Sequence, residues 1–344
     1  MITQPLLITM GDAAGIGPEI IAKAFQNHPA VTADCVVVGD VATMRRAAAL
    51  VKSSLALPVA ELESLAKFEP IPNCIQVLQK CELLTHVSIG VVNGLSGKAA
   101  ADCIVWAAQA VLNGHAKAMV TAPVNKEAFS AAGSWVAQFP GHTEMLQFEA
   151  ARFLVKSVKD VPVRMMLANA ELKIVLVSIH MSLRQAIEAV TFDSVLQTLR
   201  ITHEAFSKSL SRAPLMAVAG LNPHAGEGGL FGAEEQNFIA PAIAAAKLEG
   251  MHVSGPFSPD TVFMRARHTS SKPGEFDVVV AMYHDQGLIP VKYLGAEQGV
   301  NVTLGLPLVR TSPDHGTAFD IAGTGKADES SLLAAICMAR KLAD

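Results

Sequence analysis

From Asp277 to Gly287 the chain reads D-V-V-V-A-M-Y-H-D-Q-G, and this stretch sets the reading of the rest. A β-branched run too short for a helix stops in a polar turn that carries a histidine. The same grammar recurs along the chain. Leu6–Met10 runs into a glycine-rich turn and a helix opening at Pro18-Glu19, and Cys35–Val38 ends in Gly39-Asp40. Ala118–Thr121 ends in A-P-V-N-K (Ala122 to Lys126), Lys173–Ile179 ends at His180, and Leu215–Ala219 ends in G-L-N-P-H (Gly220 to His224). Between them lie the amphipathic stretches Ala99–Leu112, Leu183–Ala189, Ser194–Phe206 and Glu234–Leu248. Short apolar strands alternating with helices predict an α/β fold with a largely parallel sheet. Lys52–Leu84 breaks the pattern with prolines and scattered charges, and reads as peripheral helix and loop without chemistry. Arg267–Glu275 is polar with Pro-Gly and reads as an exposed turn.

Composition agrees. The length of 344 residues predicts two domains, at roughly 150 residues each. Apolar residues make up 51%, charged residues 17% and aromatics 5%, so the core is built from Ala, Val, Ile and Leu. That is the filling of sheets covered on both faces by helices. Mean hydropathy is +0.35, yet no run approaches the ~18 apolar residues of a spanning helix. The surplus is assigned to a large core and a buried subunit interface. The net charge of -4 and the lack of a basic stripe exclude nucleic acid as an expected partner. Met1–Leu7 has no export signature, and Cys35, Cys74, Cys81, Cys103 and Cys337 form no C-x-x-C pair, so reduced thiols in the cytoplasm are expected.

Placement of the polar residues carries the functional signal. His180, His224 and His284 each follow a predicted strand, on the side where open α/β sheets bind ligands. One histidine there reads as a turn residue. Three in equivalent places read as a divalent metal site with open positions for substrate. Asp260, in G-P-F-S-P-D (Gly255 to Asp260), is a fourth ligand, a base or a plain turn aspartate. A second set comprises His142 and Thr143 in F-P-G-H-T-E, with Lys126, Lys292, Asn301 and Arg310. Each alone reads as a solvated or turn residue. Together they suit a small anion bearing phosphate or carboxylate.

Two glycine-rich segments compete for a nucleotide. Gly11–Glu19 (G-D-A-A-G-I-G-P-E) sits between strand and helix, and Asp40 ends the following strand. Its spacing is G-x-x-x-G-x-G, against the G-x-G-x-x-G of a dinucleotide fingerprint. The plainer reading is a tight turn with close backbone approach. Thr311–Asp328 is long, polar and glycine-rich, and reads as a binding loop.

These residues carry a resemblance. G-D-x-x-G-I-G-P-E and H-G-T-A-x-D-I-A-G-x-G-K-A-D are similar to the isocitrate/isopropylmalate dehydrogenase type of fold. That resemblance implies two α/β/α domains with mostly parallel sheets and the active site in the interdomain cleft. The late loop, and not the early turn, then holds the cofactor. The implied domains are 1–141 with 305–344, and 142–304. T-A-P-V-N-K-E, G-H-T-E, N-P-H-A-G-E-G-G-L-F-G, P-D-T, Y-H-D-Q-G-L-I-P-x-K and G-V-N-V-T-L-G-L-P-x-x-R-T-S together resemble the 4-hydroxythreonine-4-phosphate dehydrogenase family.

Residue by residue, the resemblance makes His180, His224 and His284 metal ligands, drawn from both subunits of a homodimer. It makes His142, Thr143, Lys292, Asn301 and Arg310 substrate contacts, and places Asp260 near the metal. It makes His315, Gly316, Thr317, Ala318, Asp320, Gly323 and Asp328 the cofactor region. Lys292 and Asp260 are the candidates for proton transfer. The implied reaction needs NAD or NADP and one divalent metal (Zn, Mg, Mn or Co). It oxidises 4-phosphohydroxy-L-threonine to a 3-oxo acid that decarboxylates to 3-amino-2-oxopropyl phosphate, a step of pyridoxal phosphate biosynthesis. The chain departs from the family pattern at T-M-G-D-A-A-G and F-D-I-A-G-T (Phe319 to Thr324). Both variants resemble a paralogous branch that converts 4-phospho-D-threonate or 4-phospho-D-erythronate to dihydroxyacetone phosphate. The readings of another class are a metal-dependent hydrolase of a phosphorylated acid and a non-catalytic sensor of such a compound.

Overall fold

The computed structural model describes residues 4–51, 56–133, 135–295 and 298–343. Two compact units result: Met1–Pro162 with Leu306–Asp344, and Val163–Gly305. The first boundary falls at 162/163, later than the expected 141/142. Packing explains the shift, because the helix His142–Leu154 lays Met145 and Leu146 into the first unit's core beside Ile104 and Phe129.

The strands are, in chain order, β1 (Leu6–Thr9), β2 (Cys35–Gly39), β3 (Val59–Glu61), β4 (Ile75–Gln79), β5 (Ala118–Thr121), β6 (Arg164–Ala168), β7 (Lys173–Leu176), β8 (Met216–Ala219), β9 (Val253–Phe257), β10 (Val278–Ala281), β11 (Val300–Leu304) and β12 (Arg310–Pro313). In the first unit the order is β3-β4-β2-β1-β5-β12, and the neighbours run parallel. Every residue of β1, β2 and β5 is buried, because helices cover both faces. The helix Gly94–Leu112 packs on β1, β2 and β5, and the helix Ser330–Ala343 packs on β12, β5 and β1. The alanine-rich face of Gly94–Leu112 lets backbones approach closely. A Cβ added at Gly97 would lie 2.1 Å from the Ala128 carbonyl oxygen.

β3 and β4 overturn the expectation of helix and loop over Lys52–Leu84, of which 52–55 lie outside the described residues. The strand I-Q-V-L-Q hides behind its glutamines. Gln76 is 5% exposed and donates to the Glu69 carbonyl at 2.7 Å, and Gln79 accepts the Val41 N–H at 2.8 Å. A buried glutamine with its hydrogen bonds met reads as polar in sequence while behaving as core.

In the second unit the order is β11-β6-β7-β10-β8-β9. β6 runs antiparallel to both β11 and β7, and the remaining pairs are parallel. β7 stops at Leu176, short of the predicted Ile179. The helices Leu183–Ala189 and Phe192–Leu210 each start from a capping box, Ser182 with Gln185 and Thr191 with Ser194. The predicted helix Glu234–Leu248 begins as a wide turn over Glu235–Ile239 and is α-helical from Ala240. Among the described residues no helix is long and apolar enough to cross a membrane.

Candidate active site

In the first unit the carboxyl end of β5 meets the start of β12 and the start of the helix His142–Leu154. Arg310 opens β12 and is 3% exposed. Its Nε and Nη2 donate to Thr121 Oγ1 at 3.0 and 2.7 Å. Burial pulls its pKa down to about 10, and the Glu144 carboxylate works against that fall. The guanidinium therefore stays charged at neutral pH. His142, the first residue of its helix, has an Nε2 that is shut from solvent with no hydrogen-bond partner. Burial, and then the charge of Arg310, hold its pKa well below the usual 6.5, so the ring is neutral. Thr143 follows it, half-buried on the same first turn. Lys126, another cation of the predicted set, is exposed at the start of the helix Lys126–Ala131. A buried cation beside an imidazole nitrogen with no protein partner is the chemistry of an anion receptor.

In the second unit the strand order accounts for the placement of the three histidines. β7, β10 and β8 are consecutive parallel neighbours, with about 4.8 Å between strands. His180, His284 and His224 each follow the carboxyl end of one of these strands. The rings of His180 and His284 stand 5.8 Å apart, centroid to centroid. His284 Nδ1 is 2.7 Å from Asp285 Oδ1. A carboxylate there accepts the Nδ1 proton and leaves the Nε2 lone pair available, the usual second contact of a ligating histidine.

His224 lies in a run of five left-handed residues, His224 to Gly228, of which only two are glycine. Such a run costs on the order of 1–3 kcal/mol for each non-glycine residue and persists only where surroundings impose it. Glu235, 3% exposed, fixes the backbone that leads into it. Its Oε1 accepts the N–H groups of Leu221 and Asn222 at 2.7 and 2.8 Å, and its Oε2 accepts from the Asn222 amide at 3.0 Å. Gln286 donates to the Gly220 carbonyl at 2.8 Å and accepts the Met282 N–H at 2.7 Å, tying the His224 loop to the end of β10.

Asp260 is exposed, and its Oδ1 accepts the Ser258 hydroxyl at 2.5 Å. That bond, with the smaller influence of nearby His224, lowers its pKa. Asn301 is half-buried in β11, opposite Leu167. Lys292 is exposed at the last turn of the helix His284–Tyr293; eight residues from His284, it sits about 12 Å along the axis. Among the described residues no three His, Cys, Asp or Glu side chains of one chain form a metal cage. Two imidazoles lie together, with His224 and Asp260 near each other. Two adjacent imidazoles, one of them backed by the Asp285 carboxylate, fit a divalent ion.

The late loop is anchored at two buried points, Thr317 and Ala327, while His315, Gly316, Asp320 and Asp328 are exposed and Ala318 and Gly323 are half-buried. Gly316 has open space where a side chain would be, and Ala318 adopts φ 39°. An exposed polar loop on fixed anchors fits a dinucleotide. Asp328 also caps the last helix, accepting the Ser330 N–H at 2.8 Å. The early turn lacks the acidic partner of a dinucleotide fingerprint. Asp40 is fully buried and caps the helix Val41–Leu50 through the Thr43 N–H and hydroxyl. Sequence reading missed Thr121, Glu144, Glu235 and Gln286. Glu235 had one visible signal, a carboxylate just after a glycine run in a charge-poor chain.

Comparison with known proteins places the chain. The family model described as "Pyridoxal phosphate biosynthetic protein PdxA" matches residues 31–339. The 4-hydroxythreonine-4-phosphate dehydrogenase of Beijerinckia indica is 48% identical over 342 residues, covering 99% of this chain and 96% of that protein. The D-threonate 4-phosphate dehydrogenase of Salmonella typhimurium is 42% identical, with both proteins covered in full. The crystal structure of 4-hydroxythreonine-4-phosphate dehydrogenase from Klebsiella pneumoniae superposes with a TM-score of 0.86 at 39% identity, covering 99% of this chain and 100% of that one. With motifs, fold and relatives in agreement over nearly its whole length, the chain belongs to the pyridoxal phosphate biosynthetic protein PdxA family.

Proposed function

We propose that the protein is an oxidoreductase that oxidises the C3 hydroxyl of a phosphorylated four-carbon acid with NAD or NADP. The first-choice substrate is 4-phosphohydroxy-L-threonine. Its 3-oxo product loses carbon dioxide to give 3-amino-2-oxopropyl phosphate. The observation that carries this reading is the buried Arg310 beside the unpartnered His142 Nε2, a receptor for a dianionic phosphate. Arg310 offers charge-assisted donors, and His142 and Thr143 add hydrogen bonds at the start of a helix. Lys292 and Asn301 are assigned to the rest of the substrate. Fixing the remote phosphate orients the reacting carbon.

His180, His224 and His284 would hold a divalent ion, and residues 315–328 would hold the dinucleotide. When bound, the ion supplies Lewis-acid polarisation of the substrate's hydroxyl and the nicotinamide supplies the hydride acceptor. Asp285 keeps the His284 Nε2 lone pair directed outward, and Glu235 keeps the His224 loop in shape. Proton transfer falls to Lys292 and Asp260, where the Ser258 hydrogen bond holds Asp260 ionised. Large apolar side chains stand exposed on each histidine's segment: Met181 at 45%, Phe231 at 49% and Ile289 at 64%. Such residues mark a surface that another subunit covers. The assigned partner is a second copy, with the histidines shared between subunits.

The second reading is oxidation of 4-phospho-D-threonate or 4-phospho-D-erythronate to dihydroxyacetone phosphate. It draws support from the relatives named for D-threonate 4-phosphate and from Asp12 and Phe319 at the two departures. An assay of the three acids with both nicotinamides separates the readings, the preferred acid having the highest kcat/KM. Reduced nicotinamide should appear with organic phosphate retained. Chelation should abolish turnover and a divalent ion restore it. Released inorganic phosphate without reduced nicotinamide would overturn the reading in favour of a hydrolase.

A further inference from the structure

The Gly11–Glu19 turn plays no part in the chemistry above, although it has the placement of a nucleotide site. Its groups face another part of the same unit. The absence of a side chain at Gly15 makes room for Thr317, since a Cβ there would lie 2.9 Å from the Thr317 Cβ. The Ile16 N–H donates to the Thr317 carbonyl at 3.0 Å. One turn on, the Glu19 carboxylate is 2% exposed. Its Oε2 accepts the Gly323 N–H at 3.1 Å and its Oε1 accepts the Ala327 N–H at 3.0 Å. Lys23, one turn further, lies 3.7 Å from Glu19 Oε1 and donates to the carbonyls of Gly325, at 2.9 Å, and Ala327. A single ion pair on the helix Gly17–Asn27 thus presents an acceptor and a donor to the peptide groups of 323–327.

The loop needs such a hold. Gly323 and Gly325 both adopt φ 74°, and neither has a side chain to anchor it. Fixing a residue's backbone costs conformational entropy, and a ligand that has to order its own site forfeits that much affinity. A charge-assisted bond to a buried carboxylate meets the cost before the ligand arrives.

We propose that Glu19 and Lys23 are positioning residues that hold Gly323–Ala327 in the shape that receives the dinucleotide. This rests on the assignment of residues 315–328 to the cofactor. The early glycine turn then serves the nucleotide indirectly, as the backing of the loop that touches it.

The test uses the full-length protein with Glu19→Gln, Lys23→Met and Lys23→Arg. It combines amide hydrogen exchange of the peptide spanning 315–329, NADH and NADPH binding by calorimetry, and steady-state kinetics. In Glu19→Gln the Gly323 and Ala327 amides should exchange at least about tenfold faster, and dinucleotide Kd and KM should rise about tenfold. kcat at saturating cofactor and KM for the phosphorylated acid should stay within about twofold of wild type. Lys23→Met should move the same quantities, and Lys23→Arg should keep most of the wild-type values. Should Glu19→Gln fail to fold, Lys23, whose side chain is 16% exposed against 2% for Glu19, still permits the pair Lys23→Met and Lys23→Arg. Unchanged exchange overturns the clamp. Faster exchange with unchanged dinucleotide affinity overturns its role in binding. Wild-type protein that binds neither dinucleotide overturns the cofactor assignment itself, and faster exchange in Glu19→Gln would then show a structural tie alone.

Discussion

Arg310 and His142 illustrate how the proposed receptor needs two side chains, neither of which makes it alone. The guanidinium is buried against the Thr121 hydroxyl, and its charge helps to keep His142 neutral. Arg310→Lys keeps the charge and loses the planar fork, so kcat/KM for the phosphorylated acid should fall about a hundredfold, or ~2.7 kcal/mol, read by steady-state kinetics. His142 carries a pH signature. Its folded pKa is lowered, so between that value and the unfolded 6.5 the unfolded chain binds more protons. The associated stability is complete above pH 6.5 and is lost as pH falls below it. Thermal unfolding should therefore drop more steeply below pH 6.5 in the wild type than in His142→Asn, with parallel curves above it. Equal slopes on the acid side would remove His142 from the acid sensitivity.

At the scale of elements, the loop from Gly220 to Gly228 shows a carboxylate fixing the backbone that leads into a strained run. Glu235→Gln keeps the volume, loses the charge and turns one acceptor into a donor facing backbone N–H groups. It should cost about 2–3 kcal/mol in stability and weaken divalent-metal binding about tenfold through the His224 loop, read by denaturant unfolding and by competition with a chelator. Unchanged metal affinity would make Glu235 a fold residue only. How far such elements were legible depends on their physics. β1, β2, β5, β8 and β10 are continuous apolar runs buried on both faces, and each is visible as such. β4 is masked by glutamines whose hydrogen bonds are met internally, and β9 by a glycine and a proline within V-S-G-P-F. The three histidines stood out because each follows a strand, and parallel order brings their strands together. Glu235, Gln286 and Glu19 did not, because their partners are backbone groups far along the chain, and backbone groups leave no mark on composition.

The charge-poor, apolar composition bears on the whole molecule. Within one chain His180 and His284 are neighbours, and exposed apolar side chains flank all three histidine segments, with Tyr293 at 90% and Leu230 at 73%. A catalytic divalent site of the proposed kind takes three protein ligands and an open position. If two ligands come from one subunit and the third from its partner, single-site variants can complement each other. Suppose one mutant subunit lacks a ligand that it gives to the first site, and its partner lacks the ligand that it would give to that same site. Both defects then fall on one site, and the other site of the mixed dimer is intact. Random reassociation makes about half of the dimers mixed, each with one of two sites working, so recovery should reach about a quarter of wild-type activity. The experiment is to unfold and refold His180→Ala, His224→Ala and His284→Ala in the three pairwise mixtures. A two-plus-one division predicts recovery in two mixtures and none in the third, and the silent mixture identifies the two histidines contributed by the same subunit. Silence in all three would place every ligand on one chain and remove the subunit interface from the catalytic centre.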